Sequence, residues 1–339
     1  MPGPLLDTLS GAKPEIVPIW LMRQAGRYLP EYRELRAEKG GFLELVYDSE
    51  AAAEITVQPI RRFGFDGAIL FSDILIVPHA MGQGLEFLAG EGPKLSPTLL
   101  ETTLADFTAA PERFDPIYET VRQTRAMISD KVTMLGFAGS PWTVATYMIA
   151  GEGSKDQGPA RLLAYRDPVL MQTIVDAIID VSVGYLRGQI NAGAEAVQLF
   201  DSWAGSLAPD EFERWVVAPN AAITAAIKQS HPDTPVIGFP KGAGAKLPAY
   251  ASETGVDAIG MDETLEPAWV HANLPVNMPV QGNLDPLLVE AGGPALPARV
   301  RMVLDAFEDR PHVFNLGHGI GQFTPIEHVE QLLAAVRGA

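Results

Sequence analysis

The chain has 339 residues, of which 47% are hydrophobic and 20% are charged, and its 25 basic and 42 acidic residues give a formal net charge of −17. This composition predicts a folded chain with a large core and excludes a disordered one. The negative charge argues against nucleic acid and anionic membrane surfaces as partners, because both require a basic surface. The chain has no cysteine, which excludes disulfides, thiolate nucleophiles and cysteine-ligated zinc.

The N-terminal stretch lacks a basic region followed by an apolar core of signal-peptide length. No run approaches the length of about 18 apolar residues that a membrane-spanning helix requires. We therefore expect a cytoplasmic protein without a membrane span.

Short β-branched apolar runs alternate with longer stretches of helical periodicity in the first part of the chain. The pattern predicts strands at 17–22, 65–71, 132–137 and 194–200, and helices at 49–63, 168–191 and 209 to about 230. Ser49 is the expected N-cap of the first of these helices. The segment 82–115 is long and rich in Pro and Gly, and we interpret it as an excursion from one domain.

The second part repeats the alternation. It predicts strands at 235–239, 256–260, 279–281 and 312–316, and helices at 245–254, 298–308 and 325–336. Near-continuously apolar strands separated by helices predict a parallel sheet covered on both faces. The count of about eight strands favours a single-domain (β/α)8 TIM barrel over residues 1–339, with a doubly wound open sheet as the alternative.

In a barrel of this class the active site lies at the C-terminal ends of the strands, so the residues that follow each strand are candidates. Those residues are Arg23, Gln24, Arg27, Ser72, Asp73, Tyr147 (on a short helix), Asp201, Ser202, Trp203, Lys241, Asp262, Glu263, Asn283, Asp285 and His318. Asp73 and Asp201 are also typical of helix caps, and Tyr147 alone is typical of packing. His318 stands between two glycines, which favours a ligand-facing loop.

Known cofactor and metal motifs are not matched. GHGIG at 317–321 lacks the last glycine of a dinucleotide loop, and KGAGAK at 241–246 does not match a P-loop. The histidines show no paired metal spacing, and there is no GxSxG around a serine. We therefore expect no metal and no organic cofactor.

The remaining candidates combine arginines with a lone aspartate. Arginine binds carboxylates in a bidentate manner. An aspartate in a largely apolar cavity accepts hydrogen bonds and stabilises a nearby developing cation. This combination indicates a polycarboxylate substrate whose reaction passes through a cationic intermediate.

Five segments of the chain resemble the uroporphyrinogen decarboxylase family in the order in which that family carries them. The most specific is PIWLMRQAGRYLPEYR at 18–33. The others are LFSDIL at 70–75, GFAGSPWTVATYMI at 136–149, QLFDSWAG at 198–205 and NLGHGI at 315–320. The similarity extends from about residue 5 to the C-terminus.

The resemblance implies a (β/α)8 barrel that acts as a carboxy-lyase in haem and tetrapyrrole biosynthesis. It would convert the four acetate side chains of uroporphyrinogen III to methyl groups, giving coproporphyrinogen III and four molecules of CO₂. The family works without a metal or organic cofactor and is usually a homodimer, so both properties are expected here.

The resemblance also assigns roles to residues of this chain. Asp73, Arg23, Arg27 and Tyr147 form the expected catalytic set, in which Asp73 meets the pyrrole N–H groups at the centre of the macrocycle. The expected substrate-binding residues are these four together with Gln24, Ala25, Gly26, Ser202 and His318. Arg23 is also considered as a proton donor, although a guanidinium is a poor acid.

Two alternatives stay open from the sequence. A zinc-dependent methyltransferase related to the decarboxylases would share the fold, but its zinc site uses cysteine, which this chain lacks. A tetrapyrrole-binding protein without turnover would keep the same binding residues.

Overall fold

The structure is a computed structural model that describes residues 3–88, 92–154 and 156–338. Its helices are α1 (Pro4–Leu9), α2 (Pro30–Lys39), α3 (Phe42–Tyr47), α4 (Ser49–Phe63), α5 (Ile76–Ala80), α6 (Asp115–Met127), α7 (Pro141–Ala150), α8 (Gly158–Arg166), α9 (Pro168–Ala192), α10 (Pro209–Phe212), α11 (Ala218–Ser230), α12 (Leu247–Glu253), α13 (Pro267–Asn273), α14 (Pro286–Ala291), α15 (Ala295–Ala306) and α16 (Ile326–Arg337). Its strands are β1 (Gly67–Ile69), β2 (Gly84–Leu88), β3 (Gly92–Ser96), β4 (Thr133–Gly139), β5 (Ala196–Asp201), β6 (Val236–Pro240), β7 (Ala258–Gly260), β8 (Val280–Gln281) and β9 (His312–Val313).

Seven of the strands form one parallel sheet in the order β1-β4-β5-β6-β7-β8-β9. The segment around Ile19 fills the gap between its two edges. On one side Phe314 N donates to Pro18 O at 2.8 Å, and on the other Asp66 N donates to Ile19 O at 2.8 Å. The sheet is therefore closed by an eighth extended segment, and the predicted (β/α)8 barrel is confirmed.

The predicted strand at 17–22 is reduced to this bridge at Ile19, where two short contacts replace a regular ladder. The other seven predicted barrel strands are present, with ends that differ by a few residues. The last predicted strand, 312–316, is regular only over β9 and continues as isolated bridges at Phe314 and Leu316. The predicted helix at 209–230 contains a π-helical turn at Glu213–Val217.

The helix at 49–63 is confirmed, but its predicted N-cap is wrong. Asp48 occupies the cap, and its Oδ1 accepts a hydrogen bond from Ala51 N at 3.0 Å. Ser49 is the first helical residue. A carboxylate at this position also complements the positive end of the helix dipole, which makes it the stronger cap.

The excursion predicted at 82–115 carries secondary structure of its own. β2 and β3 pair in antiparallel register, with Leu85 opposite Leu95. Leu95 is buried, and its N–H donates to Gly151 O at the end of α7 at 2.7 Å. The hairpin is thereby attached to a helix that carries one of the candidate residues.

α9 is long and apolar enough to cross a membrane by length and composition alone. No run of this kind was expected from the sequence. Within the barrel α9 packs against α6, α7, α11 and β4. Asp167 caps its start by accepting from Leu170 N at 2.9 Å. The apolar face of α9 is therefore accounted for by packing on the sheet, as in other barrel helices.

A chain of polar side chains crosses the barrel interior. Trp20 Nε1 donates to Gln281 Oε1 at 2.9 Å, and Gln281 Nε2 donates to Gln198 Oε1 at 3.0 Å. Gln198 in turn points its amide at the Met22 sulfur, 3.9 Å away. Because these groups satisfy one another, they can be buried without the cost of unpaired polar atoms. They also show which side chains of β5 face inward.

Candidate active site

The barrel mouth is defined as the segments that follow the barrel strands. The candidate residues lie there, and they include Arg23, Asp73, Ser202, Lys241 and His318. Alternation along the strands decides which side chains reach it. On β5, Gln198 faces inward, so Ser202 four residues later lies on the same side. Asp201 points the opposite way, toward the helices.

Arg23 and Gln24 occupy a tight turn directly after the Ile19 bridge. Arg23 has φ 62°, in the left-handed region that non-glycine residues seldom adopt. Gln24 is fully buried, and its side chain accepts from Leu21 N at 3.0 Å and donates to Gly67 O at 2.8 Å. Its amide therefore braces the turn against β1 and is not free for a ligand.

Arg23 and Arg27 are both exposed at the mouth. Within residues 3–88, 92–154 and 156–338, neither guanidinium makes a hydrogen bond or an ion pair. Ala25 and Gly26 between them are half-buried, and Gly26 O accepts from Leu29 N at 3.0 Å. The segment thus presents two unpaired cations in a chain of net negative charge.

The loop that carries His318 lies against the Arg23 side chain. A Cβ added at Gly319 would stand 2.4 Å from Arg23 Cδ and 2.7 Å from Arg23 Cγ. Ile320 N donates to Met22 O at 2.9 Å, which fixes the loop to the arginine turn. Glycine at 319 is therefore what lets the arginine stem pass.

His318 is held neutral. Burial lowers its pKa to about 3, and the positive charges of Lys241 and Arg23 act in the same direction. Its ring lies 6.2 Å from the Phe239 ring on β6. A neutral imidazole offers one donor and one acceptor.

Asp73 is half-buried in the mouth, just before α5. Its Oδ1 accepts from Leu75 N at 2.8 Å, a local turn of two residues. The N-cap of α5 is Leu75 and has no side-chain cap hydrogen bond, so the interpretation of Asp73 as a helix cap is wrong. Loss of solvent raises the pKa of Asp73 to about 6, although the Leu75 N–H and the charge of Arg23 act in the opposite direction. At pH 7 the carboxyl is therefore mostly ionised, and Oδ2 has no partner in the described part of the chain.

Tyr147 projects from α7 toward Asp73. Burial raises the pKa of its hydroxyl, and the negative charge of Asp73 adds to the effect. The Tyr147 ring lies 6.5 Å from the Trp203 ring. The tyrosine therefore stays protonated and can donate a hydrogen bond into the mouth.

Asp201, a strand-end candidate to which the sequence assigned no role in the site, joins the end of β5 to α7 through Thr143. Asp201 is fully buried, and its Oδ1 accepts from Thr143 Oγ1 at 2.5 Å. Thr143 Oγ1 also accepts from Trp203 N at 3.1 Å. Thr143 lies one turn before Tyr147 on α7, a spacing visible in the sequence. The contact between Asp201 and Thr143 therefore fixes the position of Tyr147 relative to Ser202.

The structure thus brings together most of the predicted site. Arg23 is electrostatically coupled to Asp73, Tyr147 and His318, and Ser202 faces the same space by strand alternation. Gln24 is the exception, because its side chain is used inside the fold. In the described ranges there is no group of three or more His, Asp or Glu side chains suited to a metal ion.

Solved structures define the class of fold. A methyltransferase from Methanosarcina mazei superposes with a TM-score of 0.82 at 18% identity, covering 98% of this chain and 97% of its own. A B12-independent methionine synthase from Shewanella superposes with a TM-score of 0.57 at 10% identity, covering 88% of this chain and 87% of its own. At such identities the likeness concerns the fold alone, an α/β barrel.

Sequence relatives define the family. A sequence profile described as Uroporphyrinogen decarboxylase (URO-D) matches residues 3–339. Proteins named uroporphyrinogen decarboxylase are 71% identical in Erythrobacter litoralis (99% of this chain and 99% of that protein) and 70% identical in Novosphingobium aromaticivorans (100% and 99%). A third, from Mesorhizobium japonicum, is 51% identical (99% and 98%). The chain belongs to the uroporphyrinogen decarboxylase family.

Proposed function

We propose that this protein decarboxylates the four acetate side chains of uroporphyrinogen III to give coproporphyrinogen III and four molecules of CO₂, a step of haem biosynthesis. The observation that carries the proposal is the mouth itself, where an ionised Asp73 feels the charge of Arg23 and, among the described residues, neither the Arg23 nor the Arg27 guanidinium is paired. The substrate has carboxylates around its rim and N–H groups at its centre. Cations at the edge and a carboxylate within the mouth complement that distribution.

The chemistry needs an electron sink, because loss of CO₂ from an acetate on a neutral pyrrole would leave an unstabilised carbanion. Protonation of the adjacent ring carbon makes a cationic ring. The bond to the carboxylate then breaks, its electron pair returns to the ring, and CO₂ leaves. A proton added to the exocyclic carbon gives the methyl group, and loss of the ring proton restores the pyrrole, so each cycle consumes one proton. Since the ring is the sink, no metal or organic cofactor is required.

Asp73 is the residue to which we assign stabilisation of the cationic ring. Its free Oδ2 accepts hydrogen bonds from pyrrole N–H groups, and its charge favours the cation over the neutral ring. The effect is strong because the carboxyl is partly removed from solvent, where charges are weakly screened.

Arg23 and Arg27 hold substrate carboxylates, while Tyr147 and neutral His318 offer uncharged donors and Ser202 a hydroxyl. A guanidinium is a very weak acid, so Arg23 is assigned to binding and not to proton donation. Gln24 contributes by holding the arginine turn in place, and Ala25 and Gly26 by close backbone approach.

The protein acts as one domain, as a homodimer in the cytoplasm, without nucleic acid or membrane as partner. Its net charge of −17 supports the last two points, since both partners are polyanionic.

Chromatography of the products from reduced uroporphyrinogen III tests the proposal, with purified protein, no added cofactor and a chelator present. We expect coproporphyrinogen III together with intermediates that have lost one, two or three carboxyl groups. Activity that disappears with the chelator and returns with a metal would remove the cofactor-free mechanism. Tight binding with no CO₂ released would favour the tetrapyrrole-binding alternative.

A further inference from the structure

A further cation, the ammonium group of Lys241, belongs to the barrel mouth. Lys241 follows β6 directly, and its backbone is fixed on both sides. Lys241 N donates to Asp201 O at 3.0 Å, and Lys241 O accepts from Gly205 N at 3.0 Å. Lys241 therefore has a defined position on the rim, next to the loop that carries Ser202.

The alternation along β6 places Lys241 on the inner side. A Cβ at Gly238 would meet the Tyr250 ring of α12 at 2.5 Å, so position 238 faces the helices outside the sheet. The residues on either side of it on β6 therefore face the barrel interior. Phe239 does so, with its ring 6.0 Å from that of Phe200. Lys241 follows two residues later on the same side. The effect of its charge on His318 agrees with this placement.

The ammonium group of Lys241 is not used by the fold. In the part of the chain that the structure describes, Lys241 Nζ makes no hydrogen bond or ion pair, whereas Lys246 Nζ donates to Leu207 O. The nearby carboxylate of Asp262 is already engaged, because Oδ2 accepts from Gly242 N at 2.7 Å and Oδ1 from Thr264 N at 2.9 Å. Lys241 is half-buried and available to a ligand.

The order of the barrel puts Lys241 opposite the arginines. Counting from the Ile19 segment through β1, β4 and β5, β6 is four places away in a ring of eight extended segments. Arg23 and Arg27 follow the Ile19 segment, so the two kinds of cation lie on facing sides of the mouth.

We propose that Lys241 is a third cationic substrate-binding residue, which holds a carboxylate on the side of the macrocycle opposite to Arg23 and Arg27. This inference rests on the proposed function, since it takes the tetrapyrrole as ligand. Two points of attachment across a ring fix its rotation about the barrel axis. One acetate at a time is thereby held beside Asp73.

Steady-state kinetics of three variants test the role of Lys241. Lys241→Met removes the charge and keeps the stem, and Lys241→Arg keeps the charge. Lys131→Met is the matched control, because exposed Lys131 precedes β4 at the other end of the barrel and the change in net charge is the same. We expect Lys241→Met to raise KM roughly tenfold with kcat within about twofold, since one charge-assisted contact is lost.

Lys241→Arg should recover most of the affinity, and Lys131→Met should match the parent chain. A KM for Lys241→Met equal to that of Lys131→Met would overturn the inference. So would a fall in kcat at unchanged KM, which would indicate a part in proton transfer and not in binding.

Direct binding separates this inference from the proposed function. Titration with oxidised uroporphyrin, followed by its fluorescence, requires no turnover. We expect Kd to rise roughly tenfold for Lys241→Met and to stay unchanged for Lys131→Met. If the parent chain binds uroporphyrin but releases no CO₂, the proposed function fails while the assignment of Lys241 is still decided by this titration.

Discussion

The two ends of β1 carry one aspartate each, and they are used differently. Asp66 precedes the strand, and its Oδ2 accepts from Ile19 N at 2.7 Å and from Arg337 Nη2 at 2.9 Å. Asp73 follows the strand and accepts only from Leu75 N among the described residues. Burial raises the pKa of both carboxyls. The first carboxylate helps to close the barrel, and the second keeps an oxygen free.

The arginines show the same contrast. The barrel foot is defined as the segments that precede the barrel strands; Val132 precedes β4 and Glu195 precedes β5. Arg125 lies at this end. Its guanidinium donates to Val132 O and to the Glu195 carboxylate, each at 2.8 Å, and to Ser129 O at 2.7 Å. Arg23 has no such partner in the part of the chain that the structure describes. The Arg125 guanidinium at the foot is used by the fold, and the Arg23 guanidinium at the mouth is left for a ligand, as expected for this architecture.

The strongest test of the contrast is Asp73→Asn. The amide is isosteric and can still accept from Leu75 N, but it has no charge to stabilise a cationic ring. We expect kcat to fall by roughly 100-fold to 1000-fold. Product chromatography measures the rate and circular dichroism the fold. Turnover close to that of the parent chain would remove Asp73 from the mechanism.

Arg23→Lys keeps the charge at the mouth but loses the planar fork. We expect kcat/KM to fall by roughly 10-fold to 100-fold, because the bidentate contact to a carboxylate is lost. Arg125→Lys is the matched change at the foot, and it should lower the melting temperature without a comparable loss of kcat/KM. Unchanged kinetics for Arg23→Lys would argue against a bidentate contact.

The pH dependence separates the two ends by titration. Since the pKa of Asp73 is raised to about 6, acidification through pH 6 protonates it, and kcat/KM should fall about tenfold for each further unit. The same raised pKa makes the folded state bind the proton more tightly than the unfolded chain. As the pH falls from about 6 toward the ordinary pKa of an aspartate, protonation of Asp73 therefore stabilises the folded state. The loss of activity in this range is then not caused by unfolding at Asp73.

Asp201 follows β5 but points away from the mouth, and it is a second carboxyl that titrates in this range, because burial raises its pKa to about 7. Asp201→Asn should leave the midpoint of the kcat/KM profile in place. Loss of this midpoint in Asp201→Asn would show that the acidic fall in kcat/KM comes from protonation of Asp201 and not of Asp73.

The smallest effect on activity is expected for Asp66→Asn. Loss of the charge opposite Arg337 should lower the free energy of unfolding by about 1–2 kcal/mol, measured in urea, with KM and kcat unchanged. Glu54→Gln breaks the exposed pair with Arg61 and should cost less than about 0.5 kcal/mol. A large loss of turnover in Asp66→Asn would contradict the division of labour between foot and mouth.

The barrel could be predicted from the sequence because its strands are buried on both faces and read as apolar runs. The eighth strand position was harder. The Ile19 segment has the apolar run but only bridging contacts, and the chain turns at Arg23 soon after it. The hairpin β2–β3 was not predicted, because Pro, Gly and charged residues interrupt the alternation of apolar and polar residues that indicates a strand.

The rule that sites follow strand ends selected Arg23, Asp73, Ser202 and His318 as candidates, and their roles stay predictions. It could not distinguish a side chain that faces the ligand from one that faces the fold. Gln24 stands between two arginines, and only the structure shows its amide bonded to Gly67 O. Asp201 and Ser202 are adjacent in sequence but point to opposite faces, and the register of β5 decides which is which.

The left-handed turn at Arg23 has a consequence for the thermodynamics of recognition. A non-glycine residue in that conformation costs about 1 kcal/mol, and the buried Gln24 amide offsets it once the barrel has formed. The orientation of the arginine backbone is therefore settled during folding, before any ligand arrives. Binding of a ligand therefore does not have to order the backbone at Arg23, and no conformational entropy is lost there when the complex forms. The turn is a preorganised binding element in the wall of the barrel.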